Sequence, residues 1–381
     1  MSGAIGWLAI GVALTVASGS QGALLNGLRR TGDLARLSVT SGLLSTLLGV
    51  VALWLWGERG LVAFVLAGPA ASLILGHWYV SRLPAADGPP TPVRVIAAQW
   101  KTLAGVGFAF MVSGVVVTIG HLVVRTLVQR EMGASALGQF QAAWAIAMTY
   151  IGFVLGAMGT DYFPRLTGVV HDHVAANRLV NEQSEVALLL AGPVFLAMLG
   201  LAPWVIELLY SSEFGPAAAV LRWQVLGDVL KVVSWPLGYI ILAAGDGRTF
   251  MLVESFAIAT FAGFTWIGLP LIGVEATGVA FLGMYLLYLP LVYWQAWRRT
   301  GFAWERTVLR LFCALVLLAS LVLLSAAWSQ WLAAGLGVAA ASALSIIGLV
   351  RLGHMANLGG AVGRIASSSR QVMLKLRAWY E

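Results

Sequence analysis

Apolar runs of about twenty residues alternate along this chain with short polar breaks, and the length of the runs is a stronger signal than their periodicity. At a rise of 1.5 Å per residue, about twenty apolar residues cross a hydrocarbon layer of about 30 Å. The pattern predicts eleven spanning helices, at 4–26, 37–56, 61–80, 102–125, 138–160, 186–210, 217–243, 249–270, 275–297, 307–326 and 331–350. The expected fold is therefore an all-α, polytopic integral membrane protein. The two longest breaks are 81–101, rich in Pro and Ala, and 161–185, a polar stretch containing His171, Asp172, His173 and Arg178. Both read as connections, and neither leaves room for a soluble domain.

Composition agrees: 60% of residues are hydrophobic and only 10% charged, against about 25% charged in an ordinary soluble domain. Charge placement adds orientation. Eighteen of the 23 Lys and Arg fall on alternate connections and on the tail after 350, which puts those connections and the C-terminus in the cytoplasm and Met1 outside. Topology thus accounts for the net charge of +7, and no nucleic-acid partner is implied. Trp54, Trp56, Trp78, Trp100, Trp204, Trp294 and Trp297 fall near span ends, as an aromatic belt requires. Residues 367–381 mix Val, Met, Leu and Trp with basic side chains and predict an amphipathic helix on the cytoplasmic leaflet. No basic segment precedes the first apolar run, so no signal peptide is expected. The lone Cys313 excludes a disulfide framework or a cysteine zinc site within one chain.

The informative span is 217–243, whose core reads LRWQVLGDVLKVVSWPLGYIILA. Gln224, Asp228, Lys231 and Trp235 fall at i, i+4, i+7 and i+11, one stripe of a 3.6-residue period. A charge at the centre of a spanning helix costs about 2.5–3.5 kcal/mol on insertion scales, so such groups face a partner or a water-filled cavity. Two readings stand: the stripe lines a polar pathway, or Asp228 and Lys231 neutralise each other as an i,i+3 pair that holds helices together. Arg222, near the helix start, either joins the pathway or snorkels to the interface. Pro236 and Gly238 provide a place to bend.

Other spans add polar groups: Glu254 early in its span, Arg125 late in its own, and Gln139 and Gln141 at the start of the next. That span ends at Asp161, Pro164 and Arg165, which either close the helix or line the pathway. His121 reads as a core histidine with a hydrogen-bond partner, and His171-Asp172-His173 as a solvated loop, not a metal site. The outer connections are too small to hold catalytic acids, bases or metals, which argues against an enzyme and for a transporter whose cationic cavity suits an anionic cargo. No cofactor or metal is expected.

The segments ALLNGLRRTGDLARL (23–37), ALGQFQAAWAIAMTYIGFVLGAMGTDYFPRLT (136–167), LVNEQSEV (179–186) and LLYSSEFGPAAAVLRWQVLGDVLKVVSWPLGYIILAAGDGR (208–248) resemble the Wzx-type O-antigen translocases and related lipid-linked oligosaccharide flippases of the multidrug, oligosaccharidyl-lipid and polysaccharide exporter superfamily. The resemblance covers residues 10–300. It implies a MATE-like fold of two six-helix lobes, alternating access, and undecaprenyl-pyrophosphate-linked glycan as cargo. It further implies the bacterial inner membrane as location, with a polysaccharide polymerase and a chain-length regulator as partners. On this mapping residues 1–80 are a partial N-lobe lacking three helices, 81–101 a cytoplasmic linker and 102–297 the six-helix C-lobe. Residues 298–350 are an appended hairpin and 351–381 a cytoplasmic tail.

With that resemblance, Arg125, Arg222 and Lys231 supply positive potential for the pyrophosphate, while Gln141, Trp144, Gln224 and Trp235 contact the glycan. Asp161, Asp228 and Glu254 are the expected ion-coupling carboxylates. The alternatives are a drug or lipid II exporter of the same superfamily, or a truncated subunit that does not transport by itself.

Overall fold

In hydrocarbon every backbone N–H and C=O must be satisfied within its own segment, and a helix does this for a single chain. A computed structural model of the protein describes residues 2–28, 30–83 and 92–354. Among these residues there are only helices, short 3₁₀ turns and brief connections. Nine described helical segments are long and apolar enough to cross a membrane, and two, Met111–Gly156 and Gly247–Thr300, have the length of two passages. The protein is a multi-pass membrane protein with the expected spans. The expected tail helix at 367–381 and positions 84–91 of the linker lie outside the described residues.

The chain divides into two units, Met1–Pro92 and Val93–Glu381. The first holds α1 (Ser2–Gly27), α2 (Thr31–Trp56) and α3 (Gly60–Ser81). In it α3 packs along α2 and against α1, around a sparse core that includes Leu25, Leu37, Ala52 and Ala71. Outward-facing Val39, Leu43, Leu47 and Trp54 are exposed, which would be a liability in water but is the normal lipid-facing surface of a spanning helix.

The second unit holds α4 (Val93–Val169), α5 (His173–Leu209), α6 (Ala217–Ala243), α7 (Gly247–Ile272), α8 (Ala276–Thr300), α9 (Arg306–Ala326) and α10 (Gln330–His354). Its centre is α6, packed by α4, α5 and α8. The face of this span opposite its polar stripe therefore meets helices, and almost the whole helix is buried, as befits one at the centre of a bundle. The 298–350 region is no loose appendage: α10 runs along α5, with α9 beside both.

Four expected boundaries move. The connection between the spans at 102–125 and 138–160 shrinks to Gly133, whose φ of 84° and ψ of 179° break α4 into two arms; only glycine adopts that backbone without strain. The second arm runs past Pro164 to Val169, so this proline does not close the helix. The polar stretch 161–185 is mostly helix, because α5 begins at His173, where Asp172 caps it by accepting from the backbone N–H of Val174 and Ala175 at 3.1 and 3.0 Å. At the start of the second unit, α4 already begins at Val93, inside the expected linker.

The polar residues of early α5 are anchors. Asn177 and Thr300 bond side chain to side chain, and the Asn177 amide also donates to the Thr300 carbonyl at 2.8 Å. Asn181 donates to the Ala303 carbonyl and accepts from the Glu305 N–H. Glu185 pairs with Arg351 at 2.8 Å. Alongside them Asp246, the N-cap of α7, accepts from the Thr249 N–H and hydroxyl at 3.0 and 2.7 Å and binds Arg299. These contacts fasten α8, α9 and α10 at one end of the unit.

Close helix packing sets the first prediction. A Cβ at Gly278 of α8 would lie 2.5 Å from the Val220 carbonyl oxygen of α6, and backbone cannot retreat as a flexible side chain would. Gly278→Ala is expected to destabilise by about 1–3 kcal/mol, seen as a lowered thermal midpoint in detergent. Gly263→Ala, with open space at that point, should not lower it.

The second concerns acid. Hydrogen bonds from the Thr249 hydroxyl and N–H, assisted by Arg299, hold the Asp246 carboxyl down to about 2. A depressed carboxylate contributes stability above its unfolded pKa of about 3.9, and loses it as pH falls through the folded value. Asp246→Asn keeps a capping oxygen but not the charge. Between pH about 4 and about 2 the wild-type thermal midpoint should fall more steeply than that of the variant.

Candidate functional site

The polar stripe of α6 lands in the interior of the second unit. Asp228 is fully buried and its Oδ2 accepts from the Tyr150 hydroxyl of α4 at 2.7 Å. One turn on, Lys231 Nζ stands 3.9 Å from Asp228 Oδ1 and 3.7 Å from Met148 Sδ. The Asp228–Lys231 pair is thus within one helix; the link between helices is Tyr150. A cavity of about 200 Å³ opens beside Lys231, lined by His121 and Trp144 of α4, Glu254 of α7, and Tyr285 and Tyr288 of α8. Glu254 Oε1 accepts from the Tyr288 hydroxyl at 2.8 Å.

The aromatic wall is tightly keyed. Trp144 lies nearly parallel to Phe261, with centroids 5.8 Å apart and 19° between planes, and edge-on to Phe281. His121 and Trp144 stand edge to face, with ring centroids 4.9 Å apart. Against expectation, His121 has no hydrogen bond to a described residue and is a wall of the cavity. Lys231 is 5.7 Å from the Phe281 ring centroid, within cation–π reach. In charge the cavity wall is balanced, with one lysine and one glutamate, where a cationic lining was expected.

Of the residues expected from the sequence to bind cargo or couple ions, Trp144, Lys231 and Glu254 come together at this cavity, with Asp228 behind Lys231. The others lie elsewhere. Arg222 points to the far side of α6, donating from Nε to the Leu199 carbonyl of α5 at 3.0 Å and from Nη2 to Gln330 Oε1 at 2.6 Å. Neither of its expected roles, pathway or snorkelling, matches this geometry, since its head group is tied to two helices of the same unit. Gln224 is fully buried, one turn before Asp228. Arg125 and Gln141 are exposed. Asp161 pairs with Arg165 at 3.2 Å, and Trp235 belongs to a separate aromatic cluster with Tyr162 and Tyr239. Sequence reasoning missed Tyr150, Tyr285 and Tyr288. The available signal was a tyrosine well inside an apolar span, where a hydroxyl needs a partner, instead of at an aromatic belt.

Polytopic helices around a buried, charge-bearing cavity define a class by fold, the all-α membrane proteins of MATE-like architecture. An outward-facing multidrug-resistance MATE family transporter of the MOP superfamily matches with a TM-score of 0.65 at 16% identity, over 77% of this chain and 68% of that one. The lipid II flippase MurJ, in an inward-closed conformation, matches with a TM-score of 0.56 at 12% identity, over 81% and 66%.

The family is narrower. Residues 2–219 match the polysaccharide biosynthesis protein family, and the chain belongs to it. The lipid III flippase of Escherichia coli (strain K12) is 23% identical over 243 residues, 61% of this chain and 56% of that protein. The lipid III flippase of Shigella flexneri matches with the same values. The chain therefore spans little more than half the length of the curated relatives it matches.

Arg222 sets a third prediction. It joins α6 to α5 and to the first residue of α10, and charge-assisted hydrogen bonds of this kind contribute about 1.5–3 kcal/mol. Arg222→Met should lower the thermal midpoint in detergent and expose the 326–330 turn to protease, whereas Gln141→Ala should do neither.

Proposed function

We propose that this protein is a flippase that moves a lipid-linked oligosaccharide, an undecaprenyl-pyrophosphate-linked repeat unit of the O-antigen kind, from the inner to the outer leaflet of the bacterial inner membrane. It changes no covalent bond in its cargo. The observation that carries this reading is Lys231, a single cation inside an aromatic cavity in the membrane interior, between Asp228 and Glu254. Family membership and the likeness to lipid III flippases support it. On this reading α4 to α8 form the C-lobe with the α9–α10 hairpin fastened to it, the C-terminus is cytoplasmic, and a polymerase and chain-length regulator receive the product.

Charge balance suggests how cargo and coupling meet. With no cargo, Lys231 is neutralised by its own carboxylates. A pyrophosphate competes for the same ammonium, and protonation of Asp228 or Glu254 releases the lysine to it. Binding and proton occupancy then favour each other through one side chain, the reciprocal linkage of a carrier that takes up cargo and proton together. Lysine suits this role as a mobile point charge on a flexible stem.

The test is complementation of a bacterium lacking its own flippase, scored as surface glycan. Lys231→Ala should abolish surface glycan and Lys231→Arg should keep most of it, with equal amounts of folded protein in the membrane. Full glycan from both variants would refute the charge role.

A further inference from the structure

The cavity at Lys231 is too small for the whole head group of such a cargo. Its volume of about 200 Å³ falls below the roughly 300–1,000 Å³ of pockets that enclose drug-sized ligands, and an oligosaccharyl pyrophosphate is larger still. The sugars need another surface. Along α6, in the direction of Asp246, lies an aromatic cluster that the charged cavity does not include.

Trp235 and Tyr239, one turn apart, present half-buried rings with centroids 4.5 Å apart and 53° between planes. Phe163 of α4 meets Tyr239 at 5.4 Å. Behind them Tyr162 is fully buried, its ring 5.7 Å from Trp235 and its hydroxyl donating to the Pro236 carbonyl at 2.9 Å. Gly159 leaves the space for Trp235: a Cβ there would sit 3.2 Å from the indole. The rings are thus held from behind and only partly covered in front. Beside Phe163 on α4, the half-exposed Asp161–Arg165 pair supplies a carboxylate and a guanidinium. Flat apolar faces with a charged hydrogen-bonding rim suit a pyranose, whose C–H face packs on rings while its hydroxyls bond at the edge. From Lys231 to Tyr239 the helix rises about 12 Å, the scale of a short oligosaccharide.

Building on the flippase reading, we propose that Trp235, Tyr239 and Phe163, rimmed by Asp161 and Arg165, form a second subsite that stacks the sugars of the cargo, while Lys231 holds its pyrophosphate. The subsite recognises neutral hexopyranose units distal to the phosphate. It discriminates by glycan length, and the charged cavity does not.

The test compares two cargoes in the flippase-deleted strain: the full repeat unit, and a carrier bearing one sugar made by deleting the later glycosyltransferases. Trp235→Ala and Tyr239→Ala are expected to reduce surface delivery of the full unit relative to the single-sugar carrier by about tenfold, the loss of roughly one ring contact, and Trp235→Phe should restore most of the ratio. If the alanine variants lower both cargoes alike, or neither, the rings are belt or packing residues and the subsite is refuted. The flippase reading fails on a different result, delivery of neither cargo by the wild-type protein present in the membrane in normal amount.

Discussion

The second unit depends on one constraint: a membrane interior does not tolerate an unpaired charge. Lys231 sits where water is scarce, and everything around it answers its ammonium. Asp228 lies one turn away at 3.9 Å and Glu254 shares the cavity. Tyr150 and Tyr288 donate to those two carboxylates from α4 and α8. Removing one member would strand the others in a low dielectric, where an unpartnered polar group is costly. A buried pair of this kind is weak evidence for stability in itself, since its desolvation offsets much of its Coulomb energy. On the proposed reading the pair serves cargo binding, since a lysine between carboxylates can exchange them for an anion.

The same economy of partners explains Arg222. Its fork reaches α5 and the first residue of α10, so this cation holds helices where Lys231 holds space. The two are nine residues apart on one helix and project to different sides, a difference that residue type does not reveal. A structural cation such as Arg222 donates to fixed backbone and amide oxygens. A cation in a binding cavity keeps partners that can be displaced.

How far the sequence reveals these arrangements depends on whether a property is local. The spans follow from run length alone, and the Gln224–Asp228–Lys231–Trp235 stripe follows from helical period, so the wall of the cavity on α6 is readable. Tyr150 is 78 residues from Asp228 and Tyr288 is 34 from Glu254, and no local pattern announces which distant span a face will meet. The early turns of α5 mislead for a related reason. Asn177, Asn181 and Glu185 lower the hydropathy of their window and read as loop, yet they fasten the 300–305 connection and Arg351. Polar residues that anchor tertiary structure look, in one dimension, like solvated ones. Pro164 is a similar case: proline commonly marks a helix end in sequence, yet α4 runs through it to Val169.

A carrier for an amphiphile must bind firmly enough to draw a charged head group from water and loosely enough to release it on the other side. One deep site built from charge alone would meet the first demand and fail the second, since strong ion pairing in a low dielectric is hard to undo. On the proposed reading, recognition divided between a displaceable lysine and shallow aromatic contacts avoids that trap. Protonation can switch the ionic part, and ring contacts break one at a time as the helices move. On this argument α6 is central because it is the one element whose stripe carries both parts, with Lys231 toward the middle of the span and Trp235 toward its end. Only a contribution that differs between two states of the protein can drive the cargo from one to the other, and on the proposed reading that contribution is the partner of Lys231.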